Sequence, residues 1–145
     1  MNLKKLDQEN LDLVIEKYIE YYNEVEAGKW TYDLVHKRIN QIITMADSLA
    51  YVFYKDKLAL GFVIGYYMVY DDLKGLFIED ILIFKDYQNK GYGKIFMEKI
   101  FDLAKDQGAS MVELISEKDQ GHIKFYKDLD FYPVDSLVIM AKDLD

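Results

Sequence analysis

Two glycines one residue apart, Gly91 and Gly93, stand where an apolar run gives way to a helical pattern, in the stretch DYQNKGYGK, residues 86–94. A helix N-terminus offers unpaired backbone N–H groups and a partial positive charge. Glycines without a Cβ let those groups turn toward a ligand and let phosphate oxygens approach closely. Lys90 and Lys94 would add charge beside such a pyrophosphate cradle. Taken alone, the pair is better read as a tight strand-to-helix turn. A P-loop is excluded, because the positions it needs as Gly and Ser/Thr hold Gln88 and Ile95. A dinucleotide fingerprint is excluded because its third glycine would be Phe96.

The preceding run, LFIEDILIF at residues 76–84, carries Glu79 and Asp80. A carboxylate in an apolar strand is expensive to bury unpaired. Glu79 is therefore either a general base or a strand-end charge reaching solvent. Adjacent strand residues face opposite sides, so Glu79 and Asp80 share one cleft only if the strand bulges. Tyr126, in IKFYKDLDF, is either a proton donor or an aromatic packed beside Phe125. The chain has no Cys, hence no disulfide, thiolate metal site or cysteine nucleophile. His36 and His122 are too few for a histidine-rich metal centre, and His122, near a helix start, reads as a surface or capping residue. No Gly-x-Ser-x-Gly elbow supports a hydrolase triad.

These groups need elements to hold them. The opening MNLKKL reads as a short strand, and apolar residues recurring at three and four predict helices over 11–25 and 31–45. Residues 50–54 and 58–70 form a predicted hairpin, and 76–84 a third antiparallel strand. A helix over 92–107 follows, with Gly108 at its C-terminal cap. Then come a strand at 111–115, a helix at 120–129 and a last strand at 137–141. The fold class is α/β: a mixed, mostly antiparallel central sheet, a parallel βαβ crossover in the C-terminal half, and helices on both faces. At 145 residues the expectation is one domain, 1–145.

Gln88-Asn89-Lys90-Gly91-Tyr92-Gly93 matches the Q/R-x-x-G-x-G/A signature of the GNAT superfamily of N-acetyltransferases, which this chain resembles over its C-terminal two-thirds. Leu60-Gly61-Phe62 is similar to the glycine of that family's central hairpin, residues 78–83 to its fourth strand, and residues 123–131 to its last helix. The resemblance implies a fold with two variable N-terminal helices and transfer of an acetyl group from acetyl-CoA to an amine. It implies that backbone N–H groups of Asn89, Lys90, Gly91, Tyr92, Gly93 and Lys94, after Gln88, hold the CoA pyrophosphate. Ile81, Leu82 and Ile83 would bond the pantetheine arm, and one strand N–H would face the thioester oxygen. Glu79 becomes the implied general base and Tyr126 the implied general acid. The chain departs from the family pattern at Asp119, where Asn is usual and CoA contact is expected, at His122, where a small residue is usual, and at Asp130, where Gly is usual. Asp130 should adopt a left-handed turn. A non-catalytic acyl-CoA sensor and a transferase for longer acyl groups are the competing functions.

Ordinary Glu and lysine-like pKa values differ by about six units, about 8 kcal/mol. Glu79 must therefore have a raised pKa or work through water on an amine already partly neutral. Tyr126 against a thiol faces only about 2 kcal/mol. The acceptor, a small-molecule amine or protein amino group, should enter beside the N-terminal helices. Tyr18, Tyr21, Tyr22, Trp30, Tyr32, Tyr66, Tyr67 and Tyr70, with Glu20, Glu24 and Glu26, fit a polyamine-like cation; they fit core aromatics and a solvated acidic face as well. A net charge of −8 argues against non-specific nucleic-acid binding. No apolar run spans a bilayer and no signal peptide is evident, so a cytoplasmic location is expected. A homodimer is a further expectation from the resemblance.

Overall fold

The computed structural model describes residues Met1–Asp145. Two units are distinguished by their own internal contacts, Met1–Ile115 and Ser116–Asp145.

The first unit contains β1 (Asn2–Lys5), α1 (Leu11–Glu24), α2 (Tyr32–Ile43), β2 (Ser48–Lys55), β3 (Leu58–Val69), β4 (Lys74–Ile83), a 3-10 turn (Lys85–Tyr87), α3 (Tyr92–Asp106) and β5 (Met111–Leu114). The sheet runs β1-β2-β3-β4-β5. All neighbours are antiparallel except β4 and β5, which are parallel because α3 carries the chain across. The two faces follow from alternation along the strands. On one, Val52, Phe62, Ile64 and Leu82 form a core with Val14, Ile15 and Tyr18 of α1 and Val35 and Ile39 of α2. On the other, Phe53 stacks on Phe96 of α3 with ring centroids 4.7 Å apart. Burying a phenyl side chain is worth about 2–3 kcal/mol, so this pair helps fix α3 against the sheet. The α1–α2 connection is closed by Asn23, whose side chain donates to the Trp30 carbonyl at 2.8 Å and accepts from the Trp30 N–H at 2.8 Å.

Two features of β4 shape everything that follows. Its register with β3 slips: Ile64 lies opposite Asp80 but Gly65 lies opposite Ile78, so Glu79 is an extra, bulged residue. Gly65 permits the close approach, since a Cβ there would run into the Phe77 carbonyl oxygen. In addition, β5 pairs with β4 only as far as Ile78. From Glu79 to Ile83 the β5-side edge of β4 has no neighbouring strand.

The second unit contains α4 (Gln120–Lys127). Asp119 caps it, accepting from the His122 N–H at 2.9 Å. Asp130 has φ +67°, the left-handed turn expected of it. The expected strand at 137–141 does not form: Val138 is 78% and Met140 84% exposed, and no strand pairs with the segment. An apolar run signals a capacity for burial, but a strand exists only where a neighbour completes its backbone ladder.

Candidate active site

The bulge resolves the question raised by two adjacent carboxylates. With Glu79 inserted as an extra residue, both Glu79 and Asp80 reach the side of the sheet covered by α1 and α2, where one guanidinium meets them. Arg38 Nη2 lies 3.4 Å from Glu79 Oε1, and Arg38 Nε lies 3.4 Å from Asp80 Oδ2. The other oxygen of Asp80 accepts from the Tyr22 hydroxyl of α1 at 3.0 Å. Asp80 is thus used on both sides and its side chain is only 10% exposed. Glu79 is different. Its Oε2 has no partner within the protein, and the side chain is 29% exposed.

The surrounding groups are held in fixed protonation states. Burial raises the Tyr18 and Tyr22 hydroxyls well above the ordinary tyrosine value, and the Asp80 carboxylate raises them further. Both remain neutral. Burial works against the charge on Arg38, but the Asp80 and Glu79 carboxylates outweigh it and hold the guanidinium above its ordinary value. Two carboxylates and one guanidinium leave this cluster with one net negative charge.

The glycine turn lies at the end of β4. Gln88 donates from Nε2 to the Ile83 carbonyl at 2.8 Å, tying the turn to the strand. Asn89 at φ +62° and Gly91 at φ +83° are both left-handed. Gly91 is the N-cap of α3 and provides no side-chain cap, so the first-turn amides of Tyr92, Gly93 and Lys94 meet no capping side chain. A Cβ on Gly91 would meet nothing within 4 Å, so the backbone angle, not crowding, demands glycine. Lys90 and Lys94 are exposed and form no ion pair. Tyr92 accepts from Lys55 Nζ at 3.5 Å. The three residues expected along the pantetheine arm, Ile81, Leu82 and Ile83, pair with β3 and lie where the β5-side edge of β4 has no neighbouring strand. These features together set a helix start without a side-chain cap beside an open strand edge.

Tyr126 and Asp119 belong to the second unit. Tyr126 packs edge-on with Phe125 and Phe131, ring centroids 5.1 and 5.4 Å away. Both oxygens of Asp119 turn to His122, one to the N–H and the other to Nδ1 at 2.6 Å. The His122 amide, first among the causes, holds the Asp119 carboxyl below its usual value.

The tyrosine-rich half divides. Tyr18 is core, 2% exposed and packed on Trp30 and Phe62. Tyr22 donates its hydroxyl to a carboxylate of the β4 bulge. Arg38 was not anticipated from the sequence. Its signal was present: it is the chain's sole arginine, and it falls in phase with the apolar stripe of Val35, Ile39 and Ile42.

Residues 11–131 match the acetyltransferase (GNAT) family, and the chain belongs to that family. Over 54 residues it is 33% identical to the uncharacterized N-acetyltransferase CgeE of Bacillus subtilis (strain 168), a match taking in 37% of this chain and 21% of that relative. The matched stretch therefore spans about a fifth of the curated relative's length. Among solved structures, a possible acetyltransferase from Clostridium difficile 630 superposes with a TM-score of 0.82 at 17% identity, covering 99% of this chain and 98% of the other. An aminoglycoside acetyltransferase from an uncultured soil metagenomic sample, in complex with sisomicin, superposes with a TM-score of 0.73 at 14% identity, covering 99% and 96%. At such identities the likeness concerns the fold. No helix is long and apolar enough to cross a membrane.

Proposed function

We propose that this chain is an N-acetyltransferase that moves an acetyl group from acetyl-CoA to a primary amine, with Glu79 as general base. The observation that carries this reading is the bulge in β4. It sets Glu79 on the helix-covered side with one carboxylate oxygen unoccupied, beside a strand edge that is also unoccupied. The residues fit the co-substrate: an uncapped helix start suits a diphosphate, and the Glu79-to-Ile83 edge offers main-chain groups to an extended amide-bearing arm. When bound, acetyl-CoA supplies the thioester carbonyl that the amine attacks.

Glu79 accepts a proton from the acceptor ammonium, directly or through water, freeing the nitrogen lone pair. A backbone N–H on the open β4 edge stabilises the oxyanion that develops as the C–N bond forms. Tyr126 is proposed to protonate the departing thiolate as the C–S bond breaks, on the strength of its motif position, while the nitrogen gives up its second proton to solvent, from which the phenol is restored. Asp80 does not compete as the base, because both its oxygens are already engaged.

The test is thiol release from acetyl-CoA across a panel of primary amines, with wild type and Glu79→Gln, alongside calorimetric CoA binding. Wild type should turn over at least one amine. The variant should lose about 10²–10⁴ in kcat with CoA affinity intact. Tight CoA binding without turnover of any amine would favour the sensor and overturn the reading. Undiminished turnover by Glu79→Gln would remove Glu79 from the mechanism.

A further inference from the structure

We infer that Arg38 is a positioning residue for the transfer: held by Asp80 and Tyr22, it fixes one oxygen of Glu79 and so presents the other to the acceptor. This deepens, and rests on, the reading of Glu79 as general base. Glu79 is poorly steadied by its own strand. As the extra residue of the bulge it drops out of the ladder with β3, and β5 ends opposite Ile78, one residue short of it. The two sp³ torsions of a glutamate side chain have three staggered wells each, about nine combinations in all. A proton acceptor works only within hydrogen-bond reach of its donor, about 2.6–3.2 Å. A carboxylate free among those wells would occupy a given one about a tenth of the time.

The constraint comes from α2. Arg38 Nη2 lies 3.4 Å from Glu79 Oε1 and leaves Oε2 open. An arginine on its long stem is no fixed reference unless it is anchored in turn. Asp80 anchors it, with Oδ2 lying 3.4 Å from Nε. Two nitrogens of one planar guanidinium engaged by two carboxylates fix its plane as well as its place. Asp80 is held from the other side by the Tyr22 hydroxyl at 3.0 Å, and the Tyr22 ring packs on the buried Tyr18 ring, centroids 4.4 Å apart. A line of contacts thus runs from the α1 core through Tyr22, Asp80 and Arg38 to Glu79. Its anchored part is buried and its working end meets solvent: the Asp80 side chain is 10% exposed, Arg38 32% and Glu79 29%. Two carboxylates against one guanidinium leave the cluster net negative, so Arg38 places Glu79 without turning the site against an ammonium.

The test is a mutant cycle read by thiol release, with calorimetric CoA binding alongside. It uses wild type, Arg38→Met, Tyr22→Phe, Glu79→Gln, and the two double variants that include Glu79→Gln. Arg38→Met should lower kcat about tenfold, the share of time lost when the carboxylate is freed. Tyr22→Phe removes one hydroxyl and no charge, and should lower kcat about threefold, what a modest hydrogen bond is worth. CoA affinity should stay within about twofold of wild type in both. In the Glu79→Gln background neither change should cost more than about a further twofold, because the group they place is gone. A merely structural role would lower kcat by the same factor in both backgrounds. Such an equal fall, or an unchanged kcat in Arg38→Met, overturns this inference alone. If Arg38→Met does not fold, the Tyr22→Phe arm decides by the same comparison. Undiminished turnover by Glu79→Gln, or no turnover of any amine by wild type, overturns the general-base reading and this inference with it.

Discussion

Gly91 and Gly108 bracket α3 and permit a paired test of the cradle. Both have positive φ, +83° and +87°, and a Cβ built on either meets nothing within 4 Å. An alanine at either place therefore suffers only the left-handed backbone, which costs an L-residue about 1–2 kcal/mol. Part of this is offset because alanine restricts the unfolded chain more than glycine does. A net loss of about 1 kcal/mol corresponds to a fall of about 3 °C in Tm for a chain of this size. The two variants should therefore show similar small drops in a thermal melt.

Their ligand binding should separate. The methyl group at position 91 occupies the open space into which a diphosphate must come, at a helix start without a side-chain cap. The methyl at position 108 lies at the other end of α3. Calorimetry with CoA should show Gly91→Ala weakened at least about tenfold, about 1.4 kcal/mol, and Gly108→Ala within about twofold of wild type. Because backbone strain is common to both, the difference isolates the ligand. If both variants bind CoA as wild type does, or both weaken alike, the amides around Gly91 do not hold a diphosphate and the cradle reading is wrong.

Tyr126→Phe should lower turnover by about 10²-fold and leave CoA affinity nearly unchanged; equal loss of both in the same thiol-release and calorimetric assays would reduce the residue to packing with Phe125 and Phe131. Tyr18 and Tyr22 give a pH dependence, since a pKa raised on folding means that the folded state favours the neutral phenol. The stabilisation is complete below the ordinary tyrosine value of about 10 and is lost as pH climbs above it. An alkaline titration followed by tyrosinate absorbance and circular dichroism should find two of the 13 tyrosines ionising only as the helices melt; ionisation of all of them in a native fold would refute this.

Much of the architecture was legible because it is written in local periodicity. The stripe of Val14, Ile15 and Tyr18 placed α1, and Phe96, Ile100 and Ala104 placed α3, within a residue or two of their observed ends. The turn at Asp130 was legible from a family position that usually holds glycine. Residues 137–141 were misread for the complementary reason. Their apolar run has the composition of a strand, but a strand is a property of a pair, and composition cannot supply the partner. The Arg38 contacts were invisible for a similar reason, since α2 and β4 lie 41 residues apart in the chain at the Arg38–Glu79 pair.

The bulge shows where a conditional argument from sequence can be completed. Alternation alone allowed one carboxylate into the cleft, and only a slip in register could admit both. That slip depends on β3 as much as on β4: Gly65 must let the Phe77 carbonyl come close, and any side chain there would push the strands apart. Gly91 is the opposite case, surrounded by open space and set in a left-handed backbone. Two glycines that look alike in the sequence thus act through different physics. Gly65 governs whether Glu79 and Asp80 can share Arg38, and Gly91 governs whether the α3 amides face outward. The two proposed tasks, proton removal and diphosphate binding, accordingly rest on two backbone positions that carry no chemistry of their own.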